Sequence, residues 1–244
     1  MASKERQIQR WKNSIQPTPE FLLCPICKNN ELYNNYKKIL AKDKICDCFG
    51  TIVRHQCPNC DLIFGDLRFL NLSNEEINDD YCDVYSYFTE GPTHIHILRC
   101  IQSIDIFKNK NFKYLDYACG VGKMIPILKN MNYDCVGYDK YVVSDGVLNN
   151  IDGMKFDVIY SNNFIEHLIN PIEDIEFMLK YLNDGGYLIF FSDCIDEYKI
   201  EFTHYHTFYY IGKSFKLLCD KLNLEILESR EIGPIKIKIL KKIN

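Results

Sequence analysis

The sequence predicts an α/β fold built on a parallel sheet, preceded by a small cysteine-rich module. Two observations carry this. From Lys113 onward, short apolar runs alternate with amphipathic stretches, and repeated strand and helix is the pattern of a parallel sheet. Before that point, six of the 12 cysteines, Cys24, Cys27, Cys46, Cys48, Cys57 and Cys60, crowd into 37 positions.

Taken in order, residues 1–19 read as a polar arm with a short helix around Ile8 and Trp11, closed by Pro17-Thr18-Pro19, where two prolines forbid helix continuation. Residues 20–75 form the cysteine module, which ends in a short strand at Leu62-Ile63-Phe64. Residues 76–112 read as a helical connector, with Ile97, Leu98, Ile101, Ile104 and Ile106 recurring at roughly helical spacing. Residues 113–244 form the α/β domain.

In that domain Tyr114 to Tyr117, Cys135 to Tyr138, Phe156 to Tyr160 and Tyr187 to Phe191 read as strands, and Ile125 to Met131 as a helix. Ile172, Ile175, Leu179 and Leu182 make one helical face that stops at Asp184-Gly185-Gly186. A further stripe, Ile211, Phe215, Leu218 and Leu222, precedes two final strands, Glu225 to Ser229 and Lys236 to Leu240.

Composition narrows the function. Hydrophobic residues make up 47% and charged residues 25% of 244, ordinary globular usage that excludes disorder throughout. No window approaches the roughly 20 apolar residues of a membrane helix. Because the N-terminus leads into a polar segment, the expected location is the cytoplasm. A formal charge of −4 gives no global field to hold a polyanion, which disfavours nucleic acid.

The cysteines point to metal. Cys24-Pro25-Ile26-Cys27 and Cys57-Pro58-Asn59-Cys60 are two Cys-x-x-Cys knuckles separated by 29 residues, and four thiolates so paired close a tetrahedral, structural Zn2+ site. Cys46 and Cys48 have a one-residue gap that suits such chelation poorly.

The most informative stretch is Leu115-Asp116-Tyr117-Ala118-Cys119-Gly120-Val121-Gly122-Lys123, a strand running into a glycine turn that opens a helix. Such turns let a ligand reach backbone amides. Asp139 ends the following strand, where its carboxylate can accept the hydroxyl protons of a ribose, so the ligand should be an adenosine derivative. A dinucleotide fingerprint fails because Ile125 replaces its third glycine, and a P-loop fails at Tyr117 and Met124. A turn that only connects strand to helix is the remaining alternative.

The ordered set of that turn, Asp139, Phe156-Asp157-Val158-Ile159, Phe164-Ile165-Glu166-His167-Leu168, Pro171 and Leu182-Asn183-Asp184-Gly185-Gly186 resembles class I S-adenosylmethionine-dependent methyltransferases over residues 113–230. The resemblance implies a Rossmann-like sheet with helices on both faces and S-adenosyl-L-methionine as cofactor. It places Asp116, Ala118, Gly120 and Gly122 around the methionine and ribose, Asp139 on the ribose, and Asn162 and Phe164 along the cofactor and acceptor side. There are two departures: Ala118 replaces a motif glycine, and only 16 residues separate Asp139 from Phe156, where the family fits a helix and a third strand.

The cysteine module, a zinc ribbon ahead of this domain, resembles the arrangement in bacterial capsule and surface-polysaccharide methyltransferases. That implies a small acceptor such as a nucleotide-activated sugar or a phosphoramidate. Zinc-module RNA methyltransferases and a non-catalytic scaffold of the same fold stay as alternatives.

Methyl transfer needs alignment first, and a base only for an acceptor that enters protonated. His167, after the fourth sheet strand and beside Glu166, is one candidate. His204 and His206, in the loop Thr203 to Phe208, are the others; each has a purely packing alternative. Asp193, ending the fifth strand, is a candidate for an acceptor hydroxyl or an ordinary turn carboxylate.

Overall fold

The computed structural model describes residues 2–15, 17–42, 50–86, 91–142, 144–199 and 204–243. In chain order the elements are α1 (Ala2–Asn13), β1 (Phe21–Leu23), β2 (Asn30–Leu32), β3 (Lys37–Lys42), β4 (Thr51–Gln56), β5 (Ile63–Phe64), α2 (Leu67–Leu70), α3 (Asn74–Tyr85) and α4 (Thr93–Ser103). They continue as β6 (Lys113–Tyr117), α5 (Met124–Asn130), β7 (Asp134–Tyr138), β8 (Val147–Leu148), β9 (Phe156–Asn162), α6 (Pro171–Leu179), β10 (Leu182–Ser192), β11 (Phe208–Tyr209), α7 (Ser214–Lys221), β12 (Leu224–Ile232) and β13 (Ile235–Lys242). They fall into two compact units, each discontinuous in sequence: Met1–Ser86 with Ile165–Ile175 and Asp193–Leu222 as unit 1, and Tyr87–Phe164 with Glu176–Ser192 and Asn223–Asn244 as unit 2.

Unit 2 holds a seven-stranded sheet in the order β12-β13-β10-β9-β6-β7-β8. Neighbours from β10 through β8 pair in parallel, and β13 pairs antiparallel with both β10 and β12. Its central strands are apolar on both faces, as parallel strands must be when both faces are covered: Leu115, Val158, Ile159, Leu188 and Ile189 are buried. Ile97 and Ile101 of α4, Leu128 of α5, Tyr114 and Ile237 share one core cluster. Each such aliphatic side chain contributes about 1.5–3 kcal/mol on burial.

The third strand that the 16-residue gap left in doubt is present as the two-residue β8, which pairs Val147 with Gly137 and Leu148 with Tyr138. No helix lies between Asp139 and Val147 among the described residues, so it is the crossover helix that the short segment lacks. One expectation is corrected. Leu182 does not extend the helical face of Ile172 and Ile175: α6 ends at Leu179, and Leu182 already pairs with Phe156 in β10. The strand begins before the glycines and absorbs them in a register shift between Leu182 and Tyr187, with Gly185 at φ 68°.

Unit 1 contains a four-stranded antiparallel sheet, β11-β5-β4-β3. The N-terminal arm is the helix α1, whose Trp11 is buried, and α3 opens with a reciprocal cap: Ser73 Oγ accepts from Glu76 N at 3.2 Å, while Ser73 N donates to Glu76 Oε2 at 2.8 Å. Arg6 and Arg10 of α1 both pair with Asp83 of α3. The two-residue β11 is the element least visible in sequence. It joins residues 208–209 to the sheet of the cysteine module, and the Gly65 amide donates to the Thr207 carbonyl at 3.0 Å.

Candidate functional site

The four knuckle cysteines converge. One sulfur from each of Cys24, Cys27, Cys57 and Cys60 lies within 4.8 Å of the other three, with Cys24 to Cys60 and Cys27 to Cys57 at 3.6 Å. Four sulfurs at 2.3 Å from a tetrahedral zinc stand about 3.8 Å apart, so this donor set fits the ion.

The two turns that present the cysteines are built alike. Lys28 N donates to Cys24 O and Asp61 N to Cys57 O, both at 3.1 Å, and Lys28 and Asp61 take φ of 59° and 68°. Burial pushes the Cys57 thiol up to about 11. The hydrogen bond from Cys24 draws Cys60 down to about 6 and holds the Cys24 proton more tightly. Cys46 and Cys48 lie outside the described residues.

At the carboxyl ends of β6 and β7 the glycine turn and Asp139 meet. Gly120 N donates to Asp139 Oδ2 at 2.9 Å, and Tyr141 N and Val142 N donate to Oδ1 at 2.8 and 3.0 Å. Only 4% of Asp139 is exposed. A carboxylate has about four lone-pair positions, so a ribose hydroxyl must share Asp139 with these amides. Asp139 therefore buckles the turn to the end of β7, a part the sequence reading did not give it.

The turn itself is left-handed at three places, with φ of 57° at Ala118, 57° at Gly120 and 73° at Gly122. A Cβ on Gly122 would come within 2.7 Å of Val147 Cγ2, so this glycine also lets the turn close on β8. At Ala118 the preference for glycine comes from backbone conformation rather than size, since an L-residue in this region costs roughly 1–2 kcal/mol. Ala118→Gly is expected to raise stability by about 0.5–1 kcal/mol in urea denaturation; a neutral or negative change would contradict the left-handed geometry.

Asp116 is buried at the end of β6. Tyr117, the next residue, sets its ring 5.2 Å from those of Tyr138 and Phe164. Asn162 ends β9, opposite Phe191 in register. The cofactor candidates Asp116, Ala118, Gly120, Gly122, Asp139, Asn162 and Phe164 thus all belong to unit 2. A periodicity reading had no signal for the Tyr117, Tyr138 and Phe164 aromatic group, because the three come from three different strand ends.

The three candidate histidines belong to unit 1, and the structure separates one from the other two. His204 is buried with its ring 5.0 Å from Trp11 and 4.0 Å from Tyr205. Tyr205 donates to Asp80 Oδ2 at 2.7 Å and receives Gln7 Nε2 at 2.6 Å. Burial raises the Asp80 carboxyl, against the lowering effect of the Tyr205 hydrogen bond and of His204.

His167 and His206 instead face each other, ring centroids 4.7 Å apart and nearly perpendicular. Thr207 fixes this pairing: its amide donates to Glu166 O at 2.8 Å and its hydroxyl to Leu168 O at 2.7 Å, with Glu166 O also 3.1 Å from that hydroxyl. The buried Arg54 of β4 donates to the His206 carbonyl through Nε at 3.2 Å and Nη2 at 3.1 Å. Burial lowers His167 to about 4 and takes His206 well below its ordinary value. Thr203, at the start of this loop, lies outside the described residues.

A methyltransferase domain family model matches residues 93–229, more than half of the chain. Among solved structures, the Burkholderia thailandensis 1,6-didemethyltoxoflavin-N1-methyltransferase, with bound 1,6-didemethyltoxoflavin and S-adenosylhomocysteine, is 12% identical. It aligns with a TM-score of 0.51 over 80% of this chain and 96% of that one. The mitomycin 7-O-methyltransferase is 12% identical, with a TM-score of 0.50 over 69% of this chain. This chain spans 57% of that enzyme's length. No curated protein matches the sequence. The sheet order, the glycine turn at the end of β6 and these likenesses agree on a Rossmann-like methyltransferase fold. The chain belongs to the methyltransferase domain family.

Proposed function

We propose that this protein transfers a methyl group from S-adenosyl-L-methionine to a small acceptor. The observation that supports this best is the closed turn at the carboxyl edge of β6 and β7, where Gly120 N and Asp139 Oδ2 stand 2.9 Å apart. Ligands in open parallel sheets bind outside this edge. The cofactor supplies, when bound, an electrophilic methyl carbon on a sulfonium.

The chain's own part is to hold and align. In this reading Asp139 and Asp116 receive ribose and amino-acid donors, Ala118, Gly120 and Gly122 give backbone access, and Asn162 and Phe164 line the acceptor side. An acceptor that enters protonated would give its proton to a base on the chain. Among the candidates His167, His204 and His206, the proposed base is His204, whose ring lies 4.0 Å from that of Tyr205, the donor to Asp80 Oδ2. The Cys24, Cys27, Cys57 and Cys60 set holds a structural zinc ion with no position for substrate.

The acceptors we propose are nucleotide-activated sugars and phosphoramidates of envelope polysaccharide synthesis, from the resemblance drawn on the cysteine module and the glycine turn. Both solved relatives are named for small-molecule acceptors, which agrees with the size class. The formal charge of −4 disfavours RNA.

The test is transfer of labelled methyl from the cofactor to a panel of such sugars, phosphoramidates and ribosomal RNA fragments, with S-adenosylhomocysteine binding measured by calorimetry. Label on a small acceptor is the expected result. Label on RNA alone would replace the acceptor class, and absence of S-adenosylhomocysteine binding would leave the non-catalytic scaffold.

A further inference from the structure

A second group of metal-ligating side chains stands in unit 1, apart from the four cysteines. Glu166 and His167 sit in the short 3-10 turn Ile165–His167, and His206 lies two residues before β11. One ligand atom from each of the three lies within 4.8 Å of the others. We infer that Glu166, His167 and His206 hold a divalent first-row transition metal ion through one carboxylate and two imidazoles.

Three features beyond proximity point to an ion. His167 Nδ1 is buried and has no hydrogen-bond partner in the structure. A neutral imidazole protonated on Nε2 presents a lone pair on Nδ1, and such an unpartnered ring nitrogen is what a metal ion takes from histidine.

His206 Nδ1 stands 3.5 Å from Cys194 Sγ. Glu166 also groups with Asp193 and Cys194 within 4.8 Å, so two carboxylates meet at this corner and a cation is attracted to it. Two imidazoles and a carboxylate suit zinc, iron, nickel or cobalt rather than magnesium or calcium. Ligand atoms about 2.1 Å from a tetrahedral ion stand about 3.4 Å apart, a separation compatible with three atoms that lie within 4.8 Å of one another. The ion would tie the turn after β9 to the loop before β11, which Thr207 already aligns.

The experiment uses the full chain with its cysteine site zinc-loaded, titrated with cobalt(II). Expected is one cobalt equivalent giving weak visible bands of nitrogen and oxygen ligation, without thiolate charge-transfer absorption. That equivalent should be lost in Glu166→Gln and in His206→Gln, with near-ultraviolet circular dichroism unchanged. No cobalt uptake by the wild-type chain, uptake with thiolate absorption only, or uptake retained in both variants would each overturn the proposal. The wild-type spectrum decides even where a variant does not fold. S-adenosylhomocysteine binding in the same samples separates failure of this site from failure of the methyltransferase reading.

Discussion

Cys24→Ser is expected to release the zinc ion and unfold unit 1 while the sheet of unit 2 persists. The reasoning is a comparison of magnitudes. Zinc binding by four thiolates is worth on the order of 10 kcal/mol in small zinc peptides, and a whole domain is stable by about 5–15 kcal/mol. The sheet of unit 1 has one two-residue strand at its edge, β11, and another beside it, β5. Cys57 and Cys60 shortly precede β5, and Lys213 N donates to Cys60 O at 3.2 Å, so an ion held by these cysteines would organise the strand that joins the rest of this sheet. The core around Tyr114, Leu128 and Ile189 lies wholly in unit 2 and does not depend on it. The measurement is zinc content together with hydrogen exchange: protection should vanish from β3, β4 and β11 and remain in β6 and β9. A Cys24→Ser chain that keeps both its zinc and its protection in β4 would refute the metal assignment.

Asp139→Ala is expected to weaken S-adenosylhomocysteine binding by at least about 100-fold and to lower stability by about 3 kcal/mol or more. Three main-chain amides lose a charged acceptor at once, and hydrogen bonds to charged groups contribute about 1.5–3 kcal/mol each. Asp139→Asn keeps one oxygen for Tyr141 and Val142 but turns an amide toward the Gly120 N–H, so it should fall between the two in stability. Calorimetry and urea denaturation on the same proteins divide the roles. If the alanine chain loses stability yet binds the ligand with undiminished affinity, Asp139 is a structural buckle alone and the ribose assignment fails.

Legibility in the sequence varied with the physics of each part. The strands of unit 2 showed because parallel strands covered on both faces are near-continuous apolar runs: Phe156 to Tyr160 and Tyr187 to Phe191 could be read directly. Leu182 misled because one leucine fits both a helical period and the first residue of a strand, and only pairing with Phe156 decides between them. In unit 1, β3 has a single fully buried residue, Ala41, so its alternation is too faint to register. β11 has no period at all in two residues.

At the site, the knuckles were legible because thiolate spacing is itself the signal. The nearness of Asp139 to the glycine turn followed from their places at the ends of neighbouring strands. What a sequence does not carry is which acceptors a carboxylate has already committed to backbone amides. The different surroundings of His204 and His206 were hidden too, since alternation in an extended segment would put both on one side, whereas one meets Trp11 and the other His167.

The addition of β11 to the cysteine module's sheet has a consequence for biogenesis. Residues 208–209 leave the ribosome long after Cys60, so a nascent chain with its four knuckle cysteines already out still lacks the edge strand of their sheet. Fragments ending near residue 192, at the close of β10, should emerge with the cysteine module incompletely protected, exposed to proteases until residues 208–209 arrive.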